Sequence, residues 1–306
     1  MKRHVLTLFE LSTEEIHEIF ALSHELKRDL ASGVREPLLA GRVMAMLFEK
    51  QSLRTRVSFE TAMAHLGGNT LFLGQDVGWG KRESAADFSQ VLSSYVDLVV
   101  CRTTSHARIE ELAQYCTCPV INGLTDSAHP CQALADLFTL EEIHGKLAGK
   151  KLAFIGDSNN VARSLAICCG KLEMEFAVAS PTGYTFDTQF LAELRREIPG
   201  LMLQQTAKPR EAVRGAIGIY TDVWTSMGQE AEAEQRRAAF KDYQVDVALM
   251  EGAPEGAVFL HCLPAKRGEE VTADVIDGHY SAVIPQAANR LHVQKGLIAW
   301  LLGERR

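Results

Sequence analysis

The feature that most constrains this chain is an alternation of short apolar runs with longer stretches of helical period. Runs at residues 43–48, 70–73, 98–101 and 119–121 alternate with helical stretches at about 54–66, 84–95, 106–115 and 130–144. Runs of this length are strands, and a helix between successive strands makes the βαβ unit, whose stable form is a parallel sheet covered by helices. One helix precedes the series. Ser12 and Glu15 form a capping box, and Ile16, Ile19, Phe20, Leu26 and Leu30 follow at helical spacing up to Gly33.

The polar segment Gly145–Lys151, with two glycines, marks a boundary. Beyond it a second series of strands is expected at about 152–156, 176–180, 201–205, 216–221, 257–262 and 281–284, and residues 289–302 read as a closing amphipathic helix. The expected fold class is therefore α/β, with two domains, each a parallel sheet flanked by helices. A length of 306 residues with 46% hydrophobic and 23% charged residues suits two such domains and excludes extensive disorder. The formal net charge of −7 argues against a nucleic-acid or membrane-surface binder, so any anion site has to be built locally. Seven cysteines, an odd number mostly inside apolar runs, fit a reducing compartment better than a disulfide framework. No apolar run approaches the roughly 18 residues of a spanning helix, and residues 1–10 lack the apolar core of a signal peptide, so a cytoplasmic location is expected.

Open parallel sheets bind ligands beyond the carboxyl ends of their strands, where helices begin. The first strand runs into Ser52-Leu53-Arg54-Thr55-Arg56 at a helix start. Two cations there oppose the positive end of the helix dipole, so either an anion sits among them or they pair with Glu49 or Glu60 at the surface. Arg102 ends the third strand, and after the fourth, His129-Pro130-Cys131-Gln132 opens a helix with proline at its first position. His129 and Gln132 both offer donors there, which suits polarising a carbonyl, although a histidine also serves simply to satisfy a helix end. In the second series, Gly156-Asp157-Ser158-Asn159-Asn160 follows the first strand, where a dinucleotide fold would carry G-x-G-x-x-G. Neither that motif nor a P-loop occurs, which disfavours nicotinamide and ATP chemistry. Asn159 and Asn160 offer amides suited to an amino-acid head group, or else a helix cap. Asp222-Val223-Trp224-Thr225-Ser226-Met227-Gly228 and His261-Cys262-Leu263-Pro264 end two further strands. Cys262 lacks the partners of a thiol protease or a zinc site, and a free cysteine is often only a small buried apolar group.

Taken in order along the whole chain, these stretches resemble the aspartate/ornithine carbamoyltransferase family. S-x-R-T-R and H-P-x-Q are motifs of the family at large, while D-x-W-x-S-M-G and H-C-L-P are those of its ornithine branch. The resemblance implies a carbamoyl-phosphate-binding domain at residues 1–147, joined by the C-terminal helix at 289–306, and an ornithine-binding domain at 148–288. It implies carbamoyl transfer from carbamoyl phosphate to the side-chain amine of ornithine, giving citrulline and phosphate. Ser52, Leu53, Arg54, Thr55, Arg56, Arg102, His129, Gln132, Cys262, Leu263 and Arg290 would bind carbamoyl phosphate. Asn160, Asp222, Ser226 and Met227 would bind ornithine, and Cys262, Arg102, His129 and Gln132 would act in catalysis. No metal and no organic cofactor is implied. The family forms trimers in which a loop reaches the neighbouring subunit, here residues 75–84. Where many members carry Gln or His, this chain has Gly78 beside Trp79, and a tryptophan there is expected to narrow the pocket or to favour another amine such as acetylornithine, succinylornithine or putrescine. The intact Ser226-Met227-Gly228 favours ornithine itself. A catalytically silent subunit of the same fold would carry broken motifs, and none of the four is broken.

Overall fold

The computed structural model describes residues 3–226 and 229–303, so Met227 and Gly228 of the D-x-W-x-S-M-G motif lie outside the described residues. The chain forms two compact units, Met1–Ala135 with Asn289–Arg306, and Asp136–Ala288.

In the first unit α1 (Thr13–Ala31) is followed by β1 (Val43–Phe48), α2 (Leu53–His65), β2 (Asn69–Leu73), α3 (Ala85–Tyr95), β3 (Leu98–Arg102), α4 (His106–Tyr115) and β4 (Val120–Leu124). The capping box at the head of α1 is present: Ser12 and Glu15 each bond the other's backbone N–H. The strands are all parallel in the order β2-β1-β3-β4. Met44–Phe48 and Leu98–Cys101 are buried on both faces, as a parallel sheet covered by helices requires.

Next come α5 (Pro130–His144), inside which the units divide, then β5 (Lys151–Ile155), α6 (Asn160–Lys171), β6 (Glu175–Ala179), α7 (Thr188–Glu197), β7 (Leu203–Thr206) and the short α8 (Pro209–Ala212). They are followed by β8 (Ala216–Tyr220), α9 (Ala233–Phe240), α10 (Val247–Met250), β9 (Val258–Leu260), α11 (Ala273–Ile276) and α12 (Val283–Leu302). This sheet is parallel too, in the order β7-β6-β5-β8-β9. Its core gathers Ala153, Ile155, Ile219, Phe240 and Phe259.

The expected strand at 281–284 is a helix start. Ser281 makes one parallel bridge to Phe259, and at Val283 the chain already winds into α12. Pro285 explains the difference: it has no N–H to give a ladder, but it fits a first helical turn, where that N–H goes unused. The closing helix therefore begins six residues earlier than position 289. From Asn289 onward it packs on α1, where Trp300 Nε1 donates to Glu18 and Lys295 Nζ to the Leu26 carbonyl, both at 2.8 Å.

Both sheets share a topological device. In the first, the chain steps outward from β1 to β2 and then returns to β3 on the other side, so the switch point lies between β1 and β3. In the second it lies between β5 and β8. Loops leaving adjacent strands at such a point diverge and leave a crevice, the default ligand site of an open α/β sheet.

Candidate active site

The first polar cluster grows from the switch point between β1 and β3. Ser52 caps α2 in extended conformation, its Oγ accepting from the Thr55 N–H at 3.3 Å and donating to Thr55 Oγ1 at 3.0 Å. Thr55 is fully buried, and two guanidinium groups reach the same hydroxyl: Arg102 Nη1 at 3.3 Å from the end of β3, and Arg290 Nη2 at 3.0 Å from α12. Arg290 also donates through Nη1 to Gln132 Oε1 at 2.9 Å. Arg102, Arg290, His129 and Gln132 are all at most 6% exposed.

His129 is presented by a turn in which the Thr125 N–H bonds the Ala128 carbonyl at 3.0 Å, just before Pro130 starts α5. Burial, with the Arg290 and Arg102 charges beside it, holds the imidazole well below its ordinary pKa. It is neutral at pH 7, able to donate or accept, and the positive field that keeps it so also stabilises an anion.

Arg54 is half-buried in the first turn of α2, and Leu53 beside it is 76% exposed. Arg56 stands apart. It is exposed, paired with Glu60 at 3.1 Å and stacked 3.9 Å over the Phe72 ring.

Trp79 is buried within its own unit. It is 5% exposed, stacked on Phe88 with ring centroids 6.3 Å apart, and covered by the Arg108 guanidinium at 4.1 Å. Its flanking glycines, Gly78 at φ 72° and Gly80 at φ 68°, take left-handed conformations that a side chain disfavours, and the tight turn they allow folds the indole into the unit's own core.

The second cluster lies at the switch point between β5 and β8. Asn159 caps α6 by accepting from the Val161 and Ala162 N–H groups, and its amide Nδ2 donates to Asp222 Oδ2 at 2.8 Å. The other oxygen, Asp222 Oδ1, accepts from the Cys262 thiol at 3.1 Å and from the Val223 N–H at 2.8 Å. Asn160 opens α6, and Ser226 is held by its N–H to Gln229 Oε1 at 3.0 Å. Asn159 thus orients Asp222.

Cys262 and Leu263 sit on a loop fixed from beneath. The Leu263 N–H donates to His261 Nδ1 at 2.9 Å, the opposite ring nitrogen faces Glu270 at 3.3 Å, and the His261 N–H bonds Gln286 Oε1 at 2.9 Å. Gln286 in turn donates to Asp136 at 2.6 Å and to the Tyr220 hydroxyl at 3.3 Å, a phenol that burial pushes well up. Leu263 takes φ 57°, a strained value for a residue with a side chain, of the kind kept at functional loops. Asp222, His261 and Cys262 bring one ligand atom each within 4.8 Å of one another. As a metal cage the set is poor, because His261 Nδ1 already accepts from the Leu263 N–H and the thiol is bonded to the carboxylate.

Arg236, Asp157 and Glu270 escaped sequence reasoning about the site, because the contacts that tie them to it, Arg236 with Trp224 and Asp157 and Glu270 with His261, run between segments far apart in the chain.

What the fold and these clusters define is a class: a protein of two parallel α/β units, each with a polar cluster at the switch point of its sheet, the first cationic and the second built on a carboxylate and a thiol. Residues 3–142 match the family described as aspartate/ornithine carbamoyltransferase, carbamoyl-P binding domain, and residues 148–301 match its Asp/Orn binding domain. The chain is 51% identical over 303 residues to ornithine carbamoyltransferase of Bacillus subtilis, covering 98% of this chain and 94% of that one. It is 48% identical over 304 residues to the anabolic ornithine carbamoyltransferase of Pyrococcus furiosus, covering 98% and 96%. A solved structure of the Pyrococcus furiosus ornithine carbamoyltransferase superposes with a TM-score of 0.95 at 46% identity, over 99% of this chain and 98% of that one. The chain belongs to the aspartate/ornithine carbamoyltransferase family.

Proposed function

We propose that the protein transfers the carbamoyl group of carbamoyl phosphate to the side-chain amine of L-ornithine, giving L-citrulline and phosphate. The single observation that carries this is the meeting of Ser52, Arg102 and Arg290 on the Thr55 hydroxyl, beside a neutral His129. It supports a built site for a compact dianion with an attached carbonyl.

In this reading the first unit is the carbamoyl-phosphate-binding domain. Ser52, Arg54, Thr55, Arg56 and the Leu53 backbone take the phosphate, Arg56 by exchanging Glu60 for it. Arg102, His129, Gln132 and Arg290 polarise the carbamoyl carbonyl, so negative charge developing on its oxygen meets donors already in place. The second unit is the ornithine-binding domain. Asn160, Asp222, Ser226 and the Met227 backbone hold the amino-acid head group, while Cys262 and the Leu263 backbone serve the reacting end.

The amine enters as an ammonium ion and loses two protons in the reaction. One passes by way of Cys262, whose own proton is directed at Asp222 Oδ1 at 3.1 Å, and leaves to solvent. The amine lone pair then attacks the carbamoyl carbon. The C–O bond to phosphate breaks with its electron pair on the leaving oxygen, and the second proton ends on phosphate. Positioning supplies much of the rate and no cofactor is called for.

We assign the role to arginine biosynthesis, in a cytoplasmic homotrimer. Among the described residues no helix is long and apolar enough to cross a membrane.

Citrulline formation is to be measured with ornithine, acetylornithine, putrescine and aspartate offered separately. Turnover with ornithine alone supports the reading. Turnover only with another amine keeps the phosphate site and overturns the substrate assignment.

A further inference from the structure

One buried cation in the second unit has no part in the mechanism above, yet it touches both backbone segments that carry the head-group residues. Arg236, on α9, is 3% exposed. Its Nε donates to the Trp224 carbonyl and its Nη2 to Asp157 Oδ2, while Nη1 lies 3.5 Å from Glu232. The flat guanidinium is sandwiched near the Tyr184 ring at 4.9 Å and the Phe240 ring at 5.6 Å. Phe240, four positions on along the same helix, stacks on Trp224 with centroids 6.0 Å apart.

Followed through the chain, these contacts close a ring. Asp157 precedes Asn159 by two residues, Asn159 donates to Asp222 at 2.8 Å, Asp222 precedes Trp224 by two residues, and the Trp224 carbonyl returns to Arg236. Arg236 never touches Asp222, but it anchors both segments that meet there. We propose that Arg236 is a positioning residue for the amine substrate, locking residues 222–226 to the turn at 156–160 so that Asp222 and Asn160 present a preformed head-group site.

Charge explains why a cation is needed at this point. Burial raises the pKa of Asp157 and the neighbouring Asp222 charge raises it further, while Arg236 opposes both. Without the guanidinium two carboxylates would face one another across the ring, and the segments would part. A lysine could meet Asp157, but it could not bond the Trp224 carbonyl with a second, fixed edge. A buried ion pair adds little stability over apolar residues of the same volume, so its value here is in fixing geometry.

The inference rests on the functional reading above and is tested with Arg236→Gln, Arg236→Lys and the double variant Asp157→Asn with Arg236→Gln. Steady-state constants for both substrates and melting temperatures are to be compared with the wild type. The expected result is an ornithine KM raised about tenfold or more in all three, with the carbamoyl phosphate KM within about twofold of wild type. In the double variant the abandoned carboxylate is gone, so the melting temperature recovers while the ornithine KM stays high. An ornithine KM that recovers together with the melting temperature overturns the inference, as does an equal rise in both KM values or failure of all three variants to fold; each would leave Arg236 a structural residue. A wild type that forms no citrulline from ornithine removes the functional reading, and this inference with it. A normal wild type with unaltered variants removes the inference alone.

Discussion

Thr55 Oγ1 has two lone pairs, and three donors point at it: Ser52 Oγ, Arg102 Nη1 and Arg290 Nη2, at 3.0, 3.3 and 3.0 Å. They compete for it, and an anionic oxygen arriving beside the hydroxyl relieves the competition by taking guanidinium protons for itself. Thr55→Val keeps the volume and removes the oxygen. A hydrogen bond to a charged group contributes about 1.5–3 kcal/mol, so the carbamoyl phosphate KM is expected to rise about 10- to 100-fold, with ornithine affinity unchanged; an unchanged carbamoyl phosphate KM would take Thr55 out of the site. His129 gives a second test, in stability. Its folded pKa lies well below the 6.5 of the free side chain. As pH falls through about 6.5 the unfolded chain gains a proton that the folded chain refuses, so stability is lost on acidification until the folded pKa itself is reached. In urea unfolding between pH 7.5 and 5, His129→Gln should therefore lose less stability than the wild type, and an equal slope would show that His129 is not held neutral. These residues were legible because each follows a strand and opens a helix, where a short motif carries both the fold and the chemistry. Arg56 shows the limit. Its two readings, anion ligand or partner of Glu60, are the same sequence, and without an anion the side chain lies on Glu60 and Phe72. Arg236 was illegible because the two partners that tie it to the site, Trp224 and Asp157, are 12 and 79 positions away.

Among the elements, helix period and strand length made α1 to α5 and β1 to β4 readable, since in a parallel sheet the apolar runs and the amphipathic stretches take turns. Residues 281–284 broke the rule because a short apolar run has no period of its own, and the deciding residue, Pro285, lies just beyond it. Where α12 packs was likewise closed to sequence patterning, because the deciding residue is a glycine, which carries no hydrophobic signal. A Cβ at Gly296 would lie 2.1 Å from Ser23 Oγ and 2.7 Å from the Ile19 carbonyl oxygen, so the backbones of α1 and α12 approach as closely as only glycine allows. Relief by moving Ser23 alone is blocked, because the carbonyl belongs to the backbone of α1 and Ser23 Oγ is itself bonded to it at 2.6 Å. Overpacking of this kind costs about 1–3 kcal/mol. Gly296→Ala should therefore lower the melting temperature by several degrees, read by calorimetry. Because Arg290 lies on the same helix, the variant should also raise the carbamoyl phosphate KM more than the ornithine KM. A variant as stable as the wild type would mean that α12 can slide on α1 without cost.

At the scale of the whole molecule, the same burial that builds two cores sorts the cysteines. Seven are present, all free; six are buried and only Cys262 is half-exposed. A thiol reacts as its thiolate and only where reagent can reach it, so burial acts twice, by access and by pKa. It pushes the Cys131 thiol up to about 12 and raises Cys101, Cys168 and Cys169 as well, while Cys116 is raised first by its contact with Cys118. Cys262 sits instead at the end of β9, its thiol on the Asp222 carboxylate and within the cluster assigned to the amine substrate. Iodoacetamide at pH 7.5 should therefore label one cysteine in the folded protein and seven in guanidinium chloride, with peptide mass mapping placing the single label on Cys262. Ornithine added together with carbamoyl phosphate should slow that labelling, and inactivation should follow it mole for mole. Labelling of a second cysteine before unfolding would mean that one of the cores opens locally. Labelling of Cys262 at the same rate with and without both substrates would take the thiol out of the reacting site while leaving the cationic cluster around Thr55 untouched.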